Sequence, residues 1–463
     1  MYRKTVTLVL LGILCLGNTS KAQTEEPEAD SSAVAAILKP EPFAFGDFTW
    51  LNGNDRRHKT PLQSKYFTGS VMVDVNYNYS DHNPIDHTVV GSTILARENE
   101  VQLAYVGLGG DFHYDNMHAH IMTQFGTRST VVPRNDYSPY RGQYNLADVY
   151  RYLSEAYAGY HWNKWNGINL DMGMFMSYIG LFSYYSCENW ATQPSFTSDN
   201  TPWFFNGARL QMYPSDRIKV ELWAINGWQS YGMFNEMPGF GGQFLWRPTE
   251  YMSMCSNNYF GTDAAGNPAQ TRFHTDNSFL LRYYNVPGKR GLSRAAFSAT
   301  CDFGFENGGG VSAFGGAKGP AANFLSGMIY HRMWFNDNHL GWTVGGGFIH
   351  NPSRYLVLLP TGDASALPNQ YNPTQPAGTH PFTANPGDQF DGWDCSTTFD
   401  WMPNDFLTWR FEVVHREASV DYFAGRGGVT SPTGYTTTAA PGNWAPDLVK
   451  SESRVIINLL VRL

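Results

Sequence analysis

His118 and His120 sit two residues apart in MHAHIM, a spacing that puts both imidazoles on one face of a strand. Two imidazoles make a poor metal site, and the surrounding sequence offers no clear third ligand. The run GGGVSAFGGAKGP at 308–320 is glycine-rich but lacks the G-x-x-x-x-G-K-[ST] spacing of a phosphate loop, so it reads as a flexible external loop. No G-x-S-x-G elbow presents a nucleophile. Cys187, Cys255, Cys301 and Cys395 follow neither C-x-x-C nor zinc spacing, and their pairing stays open. The sequence therefore predicts no catalytic residue, no metal site and no cofactor.

Charge recurs instead on alternate residues of apolar stretches. In GSVMVDVNYNY, Val71, Val73, Val75, Tyr77 and Tyr79 share one parity, and Asp74 lies on the other with Ser70, Met72, Asn76 and Asn78. INLDMGMFMSY sets Asp171 opposite Ile168, Leu170, Met172, Met174 and Met176. IKVELWA sets Lys219 and Glu221 opposite Ile218, Val220 and Leu222. RAAFSATCDFGF places Asp302, WDCSTTFDW places Asp394 and Asp400, and LTWRFEV places Arg410 and Glu412 in the same way. Arg209, Arg282 and Arg454 extend the set. Period two means a strand with one apolar and one polar face. Lining a pore, charges of both signs would act on a solute's dipole and sort ions. As cross-strand pairs, they would only neutralise a wet wall.

A soluble sandwich also alternates, with the apolar face inward. A barrel in lipid inverts the arrangement. Short, turn-rich connections occur at 115–116, 163–167, 214–217, 248–250, 286–291, 336–338 and 403–405. Longer stretches lie between them: 80–98, 126–150, 180–202, 229–239, 261–273, 306–322, 351–391 and 418–450. Seven short turns and eight long loops join about sixteen strands, with both ends in the periplasm. Trp162, Trp165, Trp246, Trp334, Trp401 and Trp409 lie near short turns, which suggests an aromatic girdle at that boundary. The fold expectation is all-β: a transmembrane antiparallel up-and-down barrel with short periplasmic turns and long extracellular loops. A barrel of this size leaves an aqueous channel. By length, 351–391 and 126–150 are the candidates for a loop that folds in and sets the constriction.

The bulk composition agrees. Aromatics make up 15% and charged residues only 16% of 463 residues. Residues 1–22 read as a signal peptide, with Arg3 and Lys4, an apolar run from Val6 to Leu16, and Ser20-Lys21-Ala22 before the cut. Cleavage removes three positive charges and takes the net charge from −8 to −11, which disfavours nucleic acid as a partner. Residues 23–64 form a periplasmic leader whose Phe43, Phe45, Phe48 and Trp50 suit it to enter the lumen, and 65–463 form the barrel. SRVIINLLVRL at the C-terminus alternates like the rest and reads as the closing strand, the handle for the barrel-assembly machinery. Outer-membrane lipid and lipopolysaccharide are the expected surroundings, and a homotrimer is the expectation from barrels of similar size. The rival to a channel is a surface binding or adhesion barrel that uses its long loops.

At FAFGDFTWLNGNDRR, GSVMVDVNYNYSDH, MYPSDRIKVELW and WMPNDFLTW the chain resembles the OmpL-like outer-membrane β-barrel porins found in Bacteroidetes and related bacteria. The resemblance spans most of the mature chain. It implies an outer-membrane porin, either a general diffusion channel or a solute-selective one. Leu463 departs from the aromatic residue on which many such barrels end.

Overall fold

A computed structural model describes residues 44–133, 136, 142–352, 355, 389–429 and 446–463. Strand formation follows the alternation of apolar and polar residues along the chain. The strands are β1 (Phe67–Ser80), β2 (Val101–Tyr114), β3 (Met117–Thr123), β4 (Leu153–Trp162), β5 (Ile168–Met176) and β6 (Phe204–Ser215). Next come β7 (Ile218–Ile225), β8 (Gly239–Thr249), β9 (Met252–Gly261), β10 (Thr271–Asn285), β11 (Leu292–Asn307) and β12 (Asn323–Phe335). The chain continues through β13 (Leu340–Asn351), β14 (Phe390–Asn404), β15 (Leu407–Ala418), β16 (Phe423–Ala424), β17 (Leu448–Val449) and β18 (Ser451–Arg462). β16 and β17 form a separate two-stranded sheet, and the other sixteen strands close into one antiparallel barrel. Neighbours in sequence are neighbours in the sheet, so the topology is up and down. Among the described residues no helix is long and apolar enough to cross a membrane.

Closure is made by β18. It pairs with β15 on one side (Arg410 opposite Asn458) and with β1 on the other (Asn76 opposite Asn458). Both of its edges are used, so no backbone group of the ring faces lipid without a partner. The seven tight connections lie at one end of the barrel and the eight long ones at the other. At the β12–β13 turn Asn336, Asp337 and Asn338 all take positive φ, at 53°, 55° and 70°. Asn and Asp tolerate that left-handed region best among side-chain-bearing residues, so they specify the turn.

Each strand alternates between covered and exposed residues. On β14 Asp394, Ser396, Thr398 and Asp400 are buried, while Trp393, Phe399 and Trp401 are exposed. The polar parity is the covered one. That is the inversion a lipid-facing barrel requires. The covering matter is aromatic: Trp50, Tyr184, Tyr185, Trp190 and Trp203, from two inserted segments, pack with Tyr330, Trp334 and Met402 of the inner wall. Among the described residues the four cysteines, Cys187, Cys255, Cys301 and Cys395, are free, with Cys301 and Cys395 exposed on the outer wall.

Removing 455–463 strips β18 of its pairing with both neighbours. The truncated chain should fail to reach the heat-modifiable, membrane-inserted form, read by gel mobility with and without boiling and by membrane fractionation. Normal insertion of the truncated chain would contradict this account of closure.

Candidate functional site

The expected inner charges lie on the covered parity of their strands and fall into three sets. Arg209, Lys219 and Glu221 border open space. Asp74, Asp394, Asp400, Arg410 and Glu412 instead grip the loop between β5 and β6, residues 177–203. Glu412 accepts the backbone N–H groups of Thr192 at 2.6 Å and Gln193 at 2.9 Å, and the Thr398 hydroxyl at 2.9 Å. Asp394 accepts the Ser195 hydroxyl at 2.7 Å and the Phe196 N–H at 2.9 Å. Arg410, held by Asp400 at 2.7 Å, donates to the carbonyls of Asn189 at 2.6 Å and Ser186 at 3.1 Å. Asp74 holds Arg128 at 2.8 Å, and Arg128 reaches the Tyr184 carbonyl and Ser186 hydroxyl. An irregular segment has no ladder to satisfy its backbone, so buried wall charges supply the partners.

The glycines of β13 make room for this loop. A Cβ at Gly347 would collide with Ser195 Oγ, and one at Gly392 on β14 would stand 3.0 Å from the Phe196 ring. The one-turn helix Phe196–Asp199 therefore lies directly against the wall. Arg416 clamps it from β15, with its guanidinium 4.0 Å from the Phe196 ring centroid and 3.0 Å from Asp199.

A second segment, residues 44–57, enters from the short-turn end. Ala44 donates to the Asp216 carbonyl in the β6–β7 turn at 2.7 Å, and Arg56 donates to the Asn404 carbonyl in the β14–β15 turn at 3.0 Å. Asp47 accepts from Arg282 at 2.7 Å and Arg294 at 3.1 Å. Burial raises the Asp47 carboxyl, but Thr49, Arg294 and Arg282 outweigh burial and hold it below the usual carboxylate range. Asp55 is also held low: burial is outweighed by hydrogen bonds from Arg57 and by the charge of Arg462. The two inserted segments meet inside the barrel. Trp190 donates its N–H to Asn52 Oδ1 at 3.1 Å, and Gly53 donates to the Glu188 carbonyl at 3.2 Å. Arg462 binds Glu188 on one segment and approaches Asp55 on the other at 3.4 Å.

A cavity of about 510 Å³ lies against β6 to β10, bounded in part by Phe48, Tyr178, Trp203 and Trp223. Arg209 is held by Asp171 at 2.7 Å, and its guanidinium stacks on Phe175 at 4.8 Å. Lys219 pairs with Glu221 at 2.8 Å. His118 joins the same network through Asp171 at 2.6 Å, while His120 turns to Asp111 at 2.8 Å. The remaining expected charges lie elsewhere on the inner wall: Arg282 on Asp47, Asp302 beside His274 at 3.6 Å, and Arg454 on Glu452 at 2.6 Å. Among the described residues no cluster of three or more His, Cys, Asp or Glu is placed to hold a metal ion.

One expectation needs correction. Trp334 is not on the outer girdle: it shares the inward parity of β12 with Tyr330 and Arg332, is 3% exposed, and packs edge-on against Trp190 at 5.7 Å. The register of the strand outranks its nearness to a turn. Trp162, Trp165, Trp246 and Trp401 are exposed, and Trp409 pairs across the strands with Trp401. Loop 177–203, which the sequence reading did not name, enters the interior through its aromatic and hydrogen-bonding content. Of 126–150, Arg128, Ser129 and Val132 are buried in the interior. Most of 351–391 lies outside the described residues. Sequence reasoning missed Arg128, Asp199 and Glu188, which belong to no clean alternation, and Arg247, which lies on the covered parity of β8. The aromatic density of IGLFSYYSCENW was the available signal for the loop.

A closed sixteen-stranded barrel with an apolar outside and a charged, narrowed lumen defines an outer-membrane porin. The family described as "Putative beta-barrel porin-2, OmpL-like" matches residues 66–441, and the chain belongs to it. No curated protein matches the sequence. Among solved structures, the anion-selective porin from Comamonas acidovorans is 8% identical, with 86% of this chain and 99% of that one covered and a TM-score of 0.48. The outer membrane channel DcaP of Acinetobacter baumannii is 9% identical, with 85% and 96% covered and a TM-score of 0.46. Salmonella typhi OmpF, in complex with daunomycin, is 9% identical, with 86% and 98% covered and a TM-score of 0.44.

Glu412→Ala removes the acceptor of two buried backbone N–H groups, at about 1–3 kcal/mol for each one left unpaired. The barrel should still form, because the Glu412 side chain takes no part in its ladders. Loop 177–203 should become cleavable by added protease at far lower protease concentration. Unchanged protection would show that the carboxylate does not hold the loop.

Proposed function

We propose that this porin passes small hydrophilic solutes through a lumen narrowed from both ends, and that it selects among them by charge. The carrying observation is the single-sided cavity left between loop 177–203, segment 44–57 and the walls of β6 to β10. A general diffusion pore needs only a wide aqueous path. Here the path is bordered by cations, a carboxylate and aromatic rings, which favours a solute-selective channel.

The lumen-facing charges then have two roles in this reading. Arg209, Lys219 and Glu221 line the path with Asp171 behind them, and Asp74, Asp394, Asp400, Arg410 and Glu412 set its width by fixing the loop. Residues 1–22 act as a cleaved export signal, and residues 23–64 as a periplasmic leader whose 44–57 part partly occludes the channel. Trp162, Trp165, Trp246, Trp401 and Trp409 mark the periplasmic membrane boundary. Lipopolysaccharide surrounds the outer rim, β18 is the segment that the barrel-assembly machinery engages, and three copies assemble in the membrane.

Planar-bilayer recording tests the channel. The purified barrel should show a stable small conductance, and silence from a correctly folded, heat-modifiable barrel would sink the reading. Asp47→Asn weakens the anchor of segment 44–57. It should raise the open-to-occluded ratio by about twofold to fivefold, a modest factor because the carboxylate is partly exposed and screened. Asp47 is held below its ordinary value, so its contribution is present at neutral pH and lost only as pH falls below the ordinary carboxylate range. Acidification should therefore open wild type toward the Asp47→Asn level and change the variant less, because only Asp55 is then left to titrate on that segment. An equal acid response in both would refute the anchor.

A further inference from the structure

Arg247 stands apart from the other interior arginines. It lies on the inner parity of β8, is 2% exposed, and has no hydrogen-bond partner at Nε, Nη1 or Nη2. The interior arginines described above each hold at least one protein acceptor. The Phe48 ring lies 4.2 Å from the Arg247 guanidinium and covers one face of it. Arg282 and Asp47 are the charged groups near enough to act on it. Asp47 is already shared by Arg282 and Arg294, so one carboxylate serves three arginines. Glu250 stands at the rim, 3.8 Å from Arg282 and exposed.

A guanidinium withdrawn from water without an acceptor costs several kcal/mol. Arg247 borders the lumen cavity, where Arg209 and Lys219 outnumber Glu221. Arg209 is matched by Asp171 and Lys219 by Glu221, so Arg247 is the cavity cation left without a hydrogen-bonded acceptor. The cavity's other walls include Phe48, Tyr178, Trp203 and Trp223, flat surfaces that suit a ring or other compact apolar body, beside polar groups such as Gln243 and Asn257. A planar guanidinium fork meets a carboxylate or phosphate through two parallel hydrogen bonds.

We infer that Arg247 is the anion-recognising group of the lumen, binding the carboxylate or phosphate of a small organic anion whose body packs on the surrounding aromatic rings. The inference rests on the channel reading for its transport role, but binding itself can be measured without current.

Calorimetry on the full-length barrel in detergent, with benzoate, phenyl phosphate and neutral benzyl alcohol as probes, tests it. At least one anion should bind about tenfold more tightly than benzyl alcohol, and which anion does so separates carboxylate from phosphate recognition. Arg247→Met should lose about tenfold in that affinity, and Arg247→Lys should keep part of it. Arg247→Gln serves as a second neutral variant should the methionine form not fold. In bilayers under a KCl gradient, the neutral variants should shift the reversal potential away from anion preference. Equal binding of the anions and the alcohol, or undiminished binding after neutralisation, would overturn the proposal. A conducting barrel with no anion site would leave the channel reading standing. A silent barrel that still bound benzoate or phenyl phosphate through Arg247 would leave the site standing and remove the channel.

Discussion

Hydrocarbon offers the backbone no hydrogen-bond partner. A strand wall in lipid must pair every N–H and C=O within itself, and only a closed ring does so. β18 meets that condition here by pairing with both β15 and β1. Closure forces one parity of each strand outward and the other inward. The inner wall is then a polar surface enclosing a volume wider than side chains alone can fill. Much of this structure follows from how that volume is occupied.

Loop 177–203 and segment 44–57 occupy it together. Both are irregular, so both bring unpaired backbone groups into a confined space. The wall's charges are positioned to receive them: Glu412 and Asp394 accept N–H groups, and Arg410 and Arg128 donate to carbonyls. Aromatic burial holds the same loop through Trp190, Trp203 and Tyr184. The inner charges are thus both scaffold and pore wall. Where a charge is matched by the inserted segments it fixes aperture. Where it is left facing the cavity, as with Arg209 and Lys219, it acts on whatever passes.

The wall was legible in the sequence because its code is local. Asp394 and Asp400 alternate with Trp393, Phe399 and Trp401, and two-residue periodicity suffices to assign their faces. The count of sixteen strands followed from the rhythm of short and long connections. Trp334 shows where proximity reasoning failed: it lies one residue from the strand end, yet parity with Arg332 turns it inward. Loop 177–203 was harder to read. Its length does not distinguish it from other loops, and its partners are up to 274 residues away, as for Glu188 and Arg462.

Period two, turn chemistry and the paired edges of a closing strand were properties of the sequence by itself. They determined a lipid-facing barrel and its strand number, because each depends on neighbours within a few residues. Only the tertiary structure decided which segments enter the lumen, which inner charges they consume, and that Arg247 is left without an acceptor. Those outcomes depend on groups that approach from opposite ends of the barrel. Whether a buried charge is satisfied is a property of the enclosed space, and no local spacing encodes it.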